Sequence, residues 1–160
     1  MTQNLHELLE RNEPVAFRRI EKALVAVDER NETVETVLSA LIWQRCTMGQ
    51  NGILGAYLNH ECAARVSVLD EHLGVIAASD AAQAIRDLRK EIPLQDEDIR
   101  RGIIDWVDAN PSLVQHAITL NDENLDVSPK VWSFMRDRQQ NLPDVEIPDK
   151  NTGLLSRFFG

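Results

Sequence analysis

Cysteine is scarce in this sequence. Cys46 and Cys62 are the only two cysteines among 160 residues, and both fall within predicted helices beside apolar neighbours. Two cysteines cannot build a disulfide framework, and reduced thiols are the ordinary state of cysteine in a cytosolic protein. We therefore expect Cys46 and Cys62 to be buried thiols without a chemical role.

Long apolar segments are absent as well. No run approaches the roughly 20 apolar residues that a membrane-spanning helix needs. The N-terminal residues MTQNLHE lack the basic start and the apolar centre of a signal peptide. Neither a membrane-spanning nor a secreted protein is indicated, and we expect a cytoplasmic one.

Basic residues are outnumbered by acidic ones. The chain has 17 Lys and Arg against 26 Asp and Glu, which gives a formal charge of −9. The imbalance is larger in residues 91–160, where 13 acidic residues face 7 basic ones, than in residues 1–90, where 13 face 10. A negative surface repels nucleic-acid phosphates and favours basic partners, so direct binding of DNA or RNA is not expected.

Motifs for catalysis and for cofactor binding are also missing. The sequence contains no Gly-x-x-x-x-Gly-Lys-Ser/Thr phosphate loop, no Gly-x-Gly-x-x-Gly dinucleotide motif and no Gly-x-Ser-x-Gly nucleophile turn. A zinc deaminase needs His-x-Glu, whereas Glu61 directly follows His60. No zinc-ligand spacing occurs among the cysteines and histidines nearest each other, which are Cys46, His60, Cys62 and His72. We therefore expect no metal, no cofactor and no enzymatic activity.

Helical patterns fill most of the chain. Apolar residues recur at intervals of three and four, and helix-start signals such as Pro111 and Ser128-Pro129 precede several of these stretches. Thr33 is the predicted N-cap of one helix, and Gly74 is the predicted C′ residue of another. Strand patterns are nearly absent. The sequence predicts an all-α fold, a single compact domain of about seven to nine helices.

Proline and aspartate accumulate near the C-terminal end of the sequence. We assign residues 1–141 to the helical domain and residues 142–160 to a Pro/Asp-rich linker and an apolar tail. Residues 145–147 lie between two prolines, which favours an extended linker over a strand. The apolar tail, residues 154–159, needs a surface to cover it. Three surfaces are candidates for covering the tail: that of its own domain, a groove on a partner, and a neighbouring protomer.

Residues 49–60, GQNGILGAYLNH, form the most informative segment. Asn51-Gly52 can place a residue at positive φ between two helices, and Tyr57, the only tyrosine, can fill the core. Asn59 can bond backbone groups at a helix end. Together with Gly74, these residues form a predicted structural motif.

This segment resembles the core motif of the bacterial DNA-mimic protein family typified by the nineteen-kilodalton DNA-mimic protein. In that family an Asn-Gly-Gly turn leads to an aromatic-rich helix that ends in Asn, then to a helix with a Leu-x-x-Ile/Leu-Gly-Ala ending. The matching positions lie within residues 34–93: residues 50–59, Ala63-Ala64, Leu69, Leu73-Gly74, Ala77 and Ile92-Pro93. The chain departs from the family pattern at four positions, Ile53, Leu54, Leu58 and Val75.

The resemblance implies an all-helical, non-catalytic protein whose acidic face occupies the DNA-contacting surface of a DNA-binding protein, such as a transcription factor. Duplex DNA carries one charge per roughly 1.7 Å of axis, and carboxylates three or four residues apart on a helix lie roughly 5–6 Å apart. Two sets of carboxylates are candidates for such a face. The first set is Asp98, Asp105, Asp108, Asp122, Glu123 and Asp126, and the second is Asp28, Glu29, Glu32 and Glu35.

Other functions are compatible with the same residues. Acidic residues in first turns and loops also stabilise helices or are simply solvated, and Arg100 and Arg101 interrupt the first set. The main alternative is a general protein-interaction or toxin-neutralising module that uses an apolar groove or the tail, and an enzyme is a third. High salt weakens electrostatic mimicry but not apolar docking. A homodimer is compatible with the sequence.

Overall fold

The fold is built around one long central helix. The computed structural model describes residues 2–49, 51–92, 101–119 and 125–148. Ten α-helices lie in these segments: α1 (Leu5–Arg11), α2 (Phe17–Val25), α3 (Glu32–Thr47), α4 (Gly55–Leu58), α5 (His60–Ala63), α6 (Val66–Val75), α7 (Ser79–Glu91), α8 (Ile103–Asp108), α9 (Pro111–Thr119) and α10 (Ser128–Asp137). Two 3₁₀ turns, Gly52–Leu54 and Gln139–Asn141, complete the helical part. The all-α prediction is confirmed, and the two one-turn helices α4 and α5 raise the helix number above the predicted range.

The central helix, α3, is covered on nearly all sides. Eleven of its 16 residues are buried, and α2, α6 and α10 all pack against it. A helix that is buried around its circumference forms the middle of a core rather than one of its faces. Thr33 is not its N-cap as predicted: Asn31 takes that position, and its Oδ1 accepts a hydrogen bond from the Val34 amide at 2.9 Å.

The glycine segment connects α3 to α6 through two short helices. Gly52 has φ of 52°, and Tyr57 is 1% exposed within the core, so both predictions are confirmed. Asn59 closes α4 with its backbone amide and opens α5 with its side chain, which accepts from Glu61 N at 3.0 Å and Cys62 N at 3.3 Å. Gly55 lies against α3, since a Cβ placed there would be about 1.9 Å from the Cys46 carbonyl oxygen.

The helix α6 does not end at Gly74, so the C′ prediction is wrong. Gly74 lies inside the helix, and the left-handed residue is Ala77, with φ of 63°. The Ala78 amide donates to Leu73 O at 2.8 Å, and the Ala77 amide donates to Gly74 O at 3.0 Å, as in a Schellman motif. Leu73 and Ala78 are both buried, and this contact favours the later stop.

The two ends of the described chain are joined by a short antiparallel sheet. β1 (Gln3–Asn4) pairs with β2 (Glu146–Ile147), with Gln3 opposite Ile147. Ile147 is fully buried, and Arg19 Nε donates to Pro148 O at 2.6 Å. Residues 145–147 are extended, as predicted, but Glu146 and Ile147 form a strand packed on the helical domain, so the prediction of a linker rather than a strand is wrong. The predicted tail, residues 154–159, lies outside the described residues.

The lengths of the helices bear on membrane association. Among the described residues, no helix is both long enough and apolar enough to span a bilayer.

Candidate functional site

The second predicted acidic set lies at the beginning of α3. Asp28 and Glu29 are exposed in the turn after α2, and Glu32 and Glu35 stand in the first turn of α3. Carboxylates in a first turn are stabilised by the positive end of the helix dipole. Within the described residues, Asp28, Glu29 and Glu32 make no hydrogen bond or ion pair. Their charges are therefore not neutralised within the described part of the chain.

Packing of α6 against α3 adds a fifth carboxylate to this set. Arg65 NH1, just before α6, donates to Glu35 Oε2 at 2.7 Å and to Ser39 Oγ at 3.2 Å. His72 Nδ1 lies 2.7 Å from the same Ser39 hydroxyl. These contacts fix the rotation of α6 against α3. Glu71, beside His72, is exposed and has no ion pair within the described residues.

The electrostatic environment of His72 indicates that Glu32, Glu35 and Glu71 lie near one another. Burial lowers the pKa of the His72 imidazole below its usual value, and the positive charge of Arg65 acts in the same direction. Three carboxylates oppose this shift: Glu71, Glu35 and Glu32. We call Asp28, Glu29, Glu32, Glu35 and Glu71 the α3–α6 acidic surface.

Not every carboxylate of this surface is free. Glu35 is paired with Arg65 and also lies 3.6 Å from Arg30. Arg30 in turn donates to the carbonyl oxygens of Val25 and Val27 at the end of α2. The two arginines therefore hold α2, α3 and α6 together through Glu35, while the other four carboxylates face solvent.

The first predicted acidic set is only partly described. Asp105 and Asp108 lie one turn apart on α8, both exposed and without an ion pair among the described residues. Ile104, on the same helix, is 63% exposed. Asp98, Asp122 and Glu123 lie outside the described residues. We call Asp105 and Asp108 the α8 acidic pair.

Asp126 does not act as a free surface charge. Its Oδ1 accepts hydrogen bonds from Gln44 Nε2 and from the Ser128 amide, both at 2.9 Å, and so it binds the first amide of α10. The hydrogen bonds from Ser128 lower the pKa of Asp126, and the bond from Gln44 adds to this effect. Gln44 is in the last turn of α3, about 18 Å along the helix from Glu32 at a rise of about 1.5 Å per residue. Asp126 is therefore remote from the α3–α6 acidic surface.

The structure also contains a cleft and a second ionic cluster. A cleft of about 350 Å³ is lined by His6, Glu10, Arg136, Asp137, Gln139 and Gln140. Its charged lining differs from the predominantly apolar walls of small-molecule sites. Elsewhere, the buried Glu21 carboxylate receives two hydrogen bonds from Arg45, at 2.9 and 3.1 Å. Among the described residues, no group of three His, Cys, Asp or Glu side chains is arranged to hold a metal ion.

Glu71 was not among the predicted site residues. It follows Asp70 on α6, and its helix gave no periodic row of acids that would single it out. Only the contact of α6 with α3 brings it to Glu32 and Glu35. Detecting it from the sequence requires knowing which helices pack together.

The chain has no recognisable relative among the proteins with which it was compared. No known family model, no curated protein and no solved structure matches it significantly. The resemblance to the DNA-mimic family therefore rests on the motif alone and stays a prediction.

Proposed function

We propose that this protein is a non-catalytic, cytoplasmic binding protein that acts as a DNA mimic. Its acidic face would occupy the DNA-contacting surface of a basic DNA-binding protein, such as a transcription factor. The motif resemblance in residues 34–93 supports this proposal, and one structural observation carries it. That observation is the α3–α6 acidic surface, in which two packed helices bring Glu32, Glu35 and Glu71 near one another and the turn before α3 carries two more carboxylates.

The charges of this surface are available to a partner. Asp28, Glu29, Glu32 and Glu71 are exposed, and no described basic side chain pairs with them. Binding by Lys or Arg of another protein therefore breaks no ion pair within the described part of this chain. DNA-binding proteins present clustered Lys and Arg side chains to phosphates, and a cluster of unpaired carboxylates offers those side chains acceptors of the same charge.

A second candidate function has its own supporting observation. Ile104 is 63% exposed beside Asp105, so α8 combines an apolar side chain with two carboxylates. A general protein-interaction module would use this mixed face, and its binding would depend less on salt. The two candidates therefore differ in the surface used and in the response to ionic strength.

The experiment compares three variants that each remove two negative charges. Glu32→Gln with Glu71→Gln changes the α3–α6 acidic surface, and Asp105→Asn with Asp108→Asn changes the α8 acidic pair. Glu7→Gln with Glu13→Gln is the matched control, since both residues are exposed and unpaired within the described part. Each protein is immobilised, exposed to a bacterial lysate at low salt and eluted with a salt gradient. Bound proteins are identified by mass spectrometry and challenged with duplex DNA.

DNA mimicry predicts a DNA-binding protein that elutes early, is displaced by duplex DNA, and is lost from the Glu32/Glu71 variant but not from the control. A partner that resists salt, does not bind DNA and depends on α8 contradicts the proposal and favours the interaction module. Equal loss from all three variants shows a non-specific charge effect and also contradicts it.

A further inference from the structure

A buried hydroxyl joins two basic side chains at the contact between α3 and α6. Ser39, on α3, is fully buried, and its Oγ lies 3.2 Å from Arg65 NH1 and 2.7 Å from His72 Nδ1. Arg65 can only donate, so its hydrogen takes one lone pair of the Ser39 oxygen. The hydroxyl hydrogen needs an acceptor of its own, and Nδ1 of a neutral His72 is in position to accept it. The three side chains therefore form a directed chain of hydrogen bonds, from Arg65 through Ser39 to His72.

Protonation of His72 is incompatible with this chain of hydrogen bonds. An imidazolium carries a hydrogen on both ring nitrogens, so it can no longer accept from Ser39. It would instead donate to the oxygen that already accepts from the Arg65 guanidinium, and the two positive charges would repel each other. His72 is half-buried, and burial acts in the same direction by lowering the pKa of the imidazole. The chain is therefore intact only while His72 is neutral.

His72 stands at one end of a row of carboxylates. Glu32, Glu35 and Ser39 follow one another on α3 at intervals of three and four residues, so they share one face of that helix. Glu71 precedes His72 on α6 and is exposed. The carboxylates of Glu71, Glu35 and Glu32 all favour the charged form of the imidazole. A positive charge on His72 would therefore lie within the α3–α6 acidic surface.

Two further arginines near this contact are already engaged. Arg30, in the turn before α3, lies 3.6 Å from Glu35. On α7, which also packs against α6, Arg89 NH1 donates to Asp70 Oδ1 at 2.7 Å. Positions 70 and 72 point to opposite sides of α6, because successive residues of a helix are about 100° apart. Of the charged groups around this contact, His72 alone has a side chain whose ordinary pKa lies near neutral pH.

We propose that the hydrogen-bond chain from Arg65 through Ser39 to His72 makes the α3–α6 acidic surface responsive to pH, so that it binds a basic partner less tightly once His72 is protonated. This response rests on the proposed function, because it belongs to the same surface. A cation on His72 repels the Lys and Arg side chains of the partner and competes with them for the carboxylates. By linkage, a bound basic partner makes the protonation of His72 less favourable.

The test measures binding of a synthetic oligolysine peptide to the full-length protein at low salt, at about pH 7.5 and about pH 5. Isothermal titration calorimetry gives the dissociation constant. Binding by the wild type is expected to weaken about threefold to fivefold at the lower pH, because one positive charge has entered the surface. His72→Gln is expected to lose much less affinity, and the loss that remains reports the onset of carboxylate protonation. His60→Gln changes an exposed histidine of α5 and is the matched control, which is expected to behave as the wild type.

Ser39→Ala tests the hydrogen-bond chain itself. Without the hydroxyl, neutral His72 loses its hydrogen-bond donor, so its pKa is expected to rise and the loss of peptide binding to begin at a higher pH. Titration of the His72 ring protons by NMR measures this shift in the absence of peptide. A merely structural role of Ser39 would leave the midpoint of that titration unchanged. Urea unfolding establishes that each variant is folded, and the comparison of the wild type with His72→Gln decides the matter if Ser39→Ala is not.

Failure of the pH response and failure of the proposed function give different results. If the variant Glu32→Gln with Glu71→Gln binds the peptide as tightly as the wild type, the surface does not attract cations, and both proposals are overturned. If that variant binds weakly but His72→Gln loses as much affinity at about pH 5 as the wild type, only the pH response is overturned. An unchanged titration midpoint in Ser39→Ala would overturn the role of the hydrogen-bond chain.

Discussion

The hydroxyl of Tyr57 is buried without a hydrogen-bond partner among the described residues. The side chain fills the core, as the sequence predicts, but its polar atom has lost its contact with water. Burial also raises the pKa of this phenol above its ordinary value. A buried polar group that is left unpaired destabilises a protein by roughly 1–3 kcal/mol.

Tyr57→Phe is therefore expected to raise the free energy of unfolding by about 1 kcal/mol, because the ring stays and the unpaired hydroxyl is removed. Urea unfolding followed by circular dichroism measures this change. Tyr57→Leu is the control and is expected to destabilise the protein, because it removes ring contacts. A loss of stability in the Phe variant would show that the hydroxyl has a partner, such as an ordered water.

The His72 side chain links stability to pH. Its pKa is lowered in the folded protein, mainly by burial and also by Arg65, whereas the unfolded chain has a pKa near 6.5. The unfolded state therefore binds more protons just below that pH. Stability from this group is complete above about pH 6.5 and falls as the pH drops toward the folded pKa.

Urea unfolding between about pH 5 and 8 is expected to show that the free energy of unfolding of the wild type falls as the pH is lowered. The fall is expected to be smaller in His72→Gln, because glutamine does not titrate. Carboxylates such as Asp87 and Asp126, whose pKa values are lowered, titrate below this range. An identical pH dependence in both proteins would exclude His72 as its source.

At the scale of elements, two glycines have opposite roles. Gly55 begins α4 where a Cβ would lie about 1.9 Å from the Cys46 carbonyl oxygen, and this backbone atom cannot turn away as a side chain can. Gly74 lies inside α6, and a Cβ there would meet nothing within 4 Å. The first glycine is required by packing, and the second only weakens its helix.

Gly55→Ala is expected to destabilise the protein by at least about 2 kcal/mol, because α4 must move away from α3. Gly74→Ala is expected to stabilise it by about 0.5–1 kcal/mol, because alanine has the higher helix propensity. Denaturant unfolding of both variants measures the two effects. Similar changes in both would contradict the close contact between α4 and α3.

The outcome for individual elements shows what can be predicted from sequence. Local signals located most helices, including those opened by Pro111 and Ser128-Pro129. The N-cap of α3 and the end of α6 were misplaced, because Thr33 has a competitor in Asn31 and because the buried contact of Leu73 favours the later stop. Pairing of β1 with β2 involves residues more than 140 positions apart, so no local pattern indicates it.

The candidate site, like the helices, could be predicted from sequence only where local signals determine it. Its position at the start of α3 was visible as an acidic run, whereas Glu71 joined it only through helix packing. Asp126 has the right charge, but its carboxylate is hydrogen-bonded to Gln44 and to the first amide of α10. Residue type indicates charge, but tertiary contacts decide whether that charge is free.

At the scale of the whole molecule, the small sheet joins the first and last parts of the described chain. Ile147 is fully buried, and Glu146 beside it is exposed. Ile147→Ala is expected to lower the free energy of unfolding by about 2–4 kcal/mol through lost packing. Glu146→Ala is the matched control and is expected to change it by less than about 0.5 kcal/mol. Thermal and urea unfolding measure both variants. If the two substitutions change the free energy of unfolding equally, the packing of Ile147 does not support the fold.

This closure has a consequence for biosynthesis. The helix α1 packs against α10, and β1 pairs with β2, so both elements have partners that are synthesised much later. At 5–20 residues per second, translation proceeds from β1 to β2 in roughly 7–30 s. During that time the apolar side chains of Leu5, Leu8 and Leu9 lack these contacts. The helix α1 and the strand β1 can therefore reach their final places only after α10 and β2 have been synthesised.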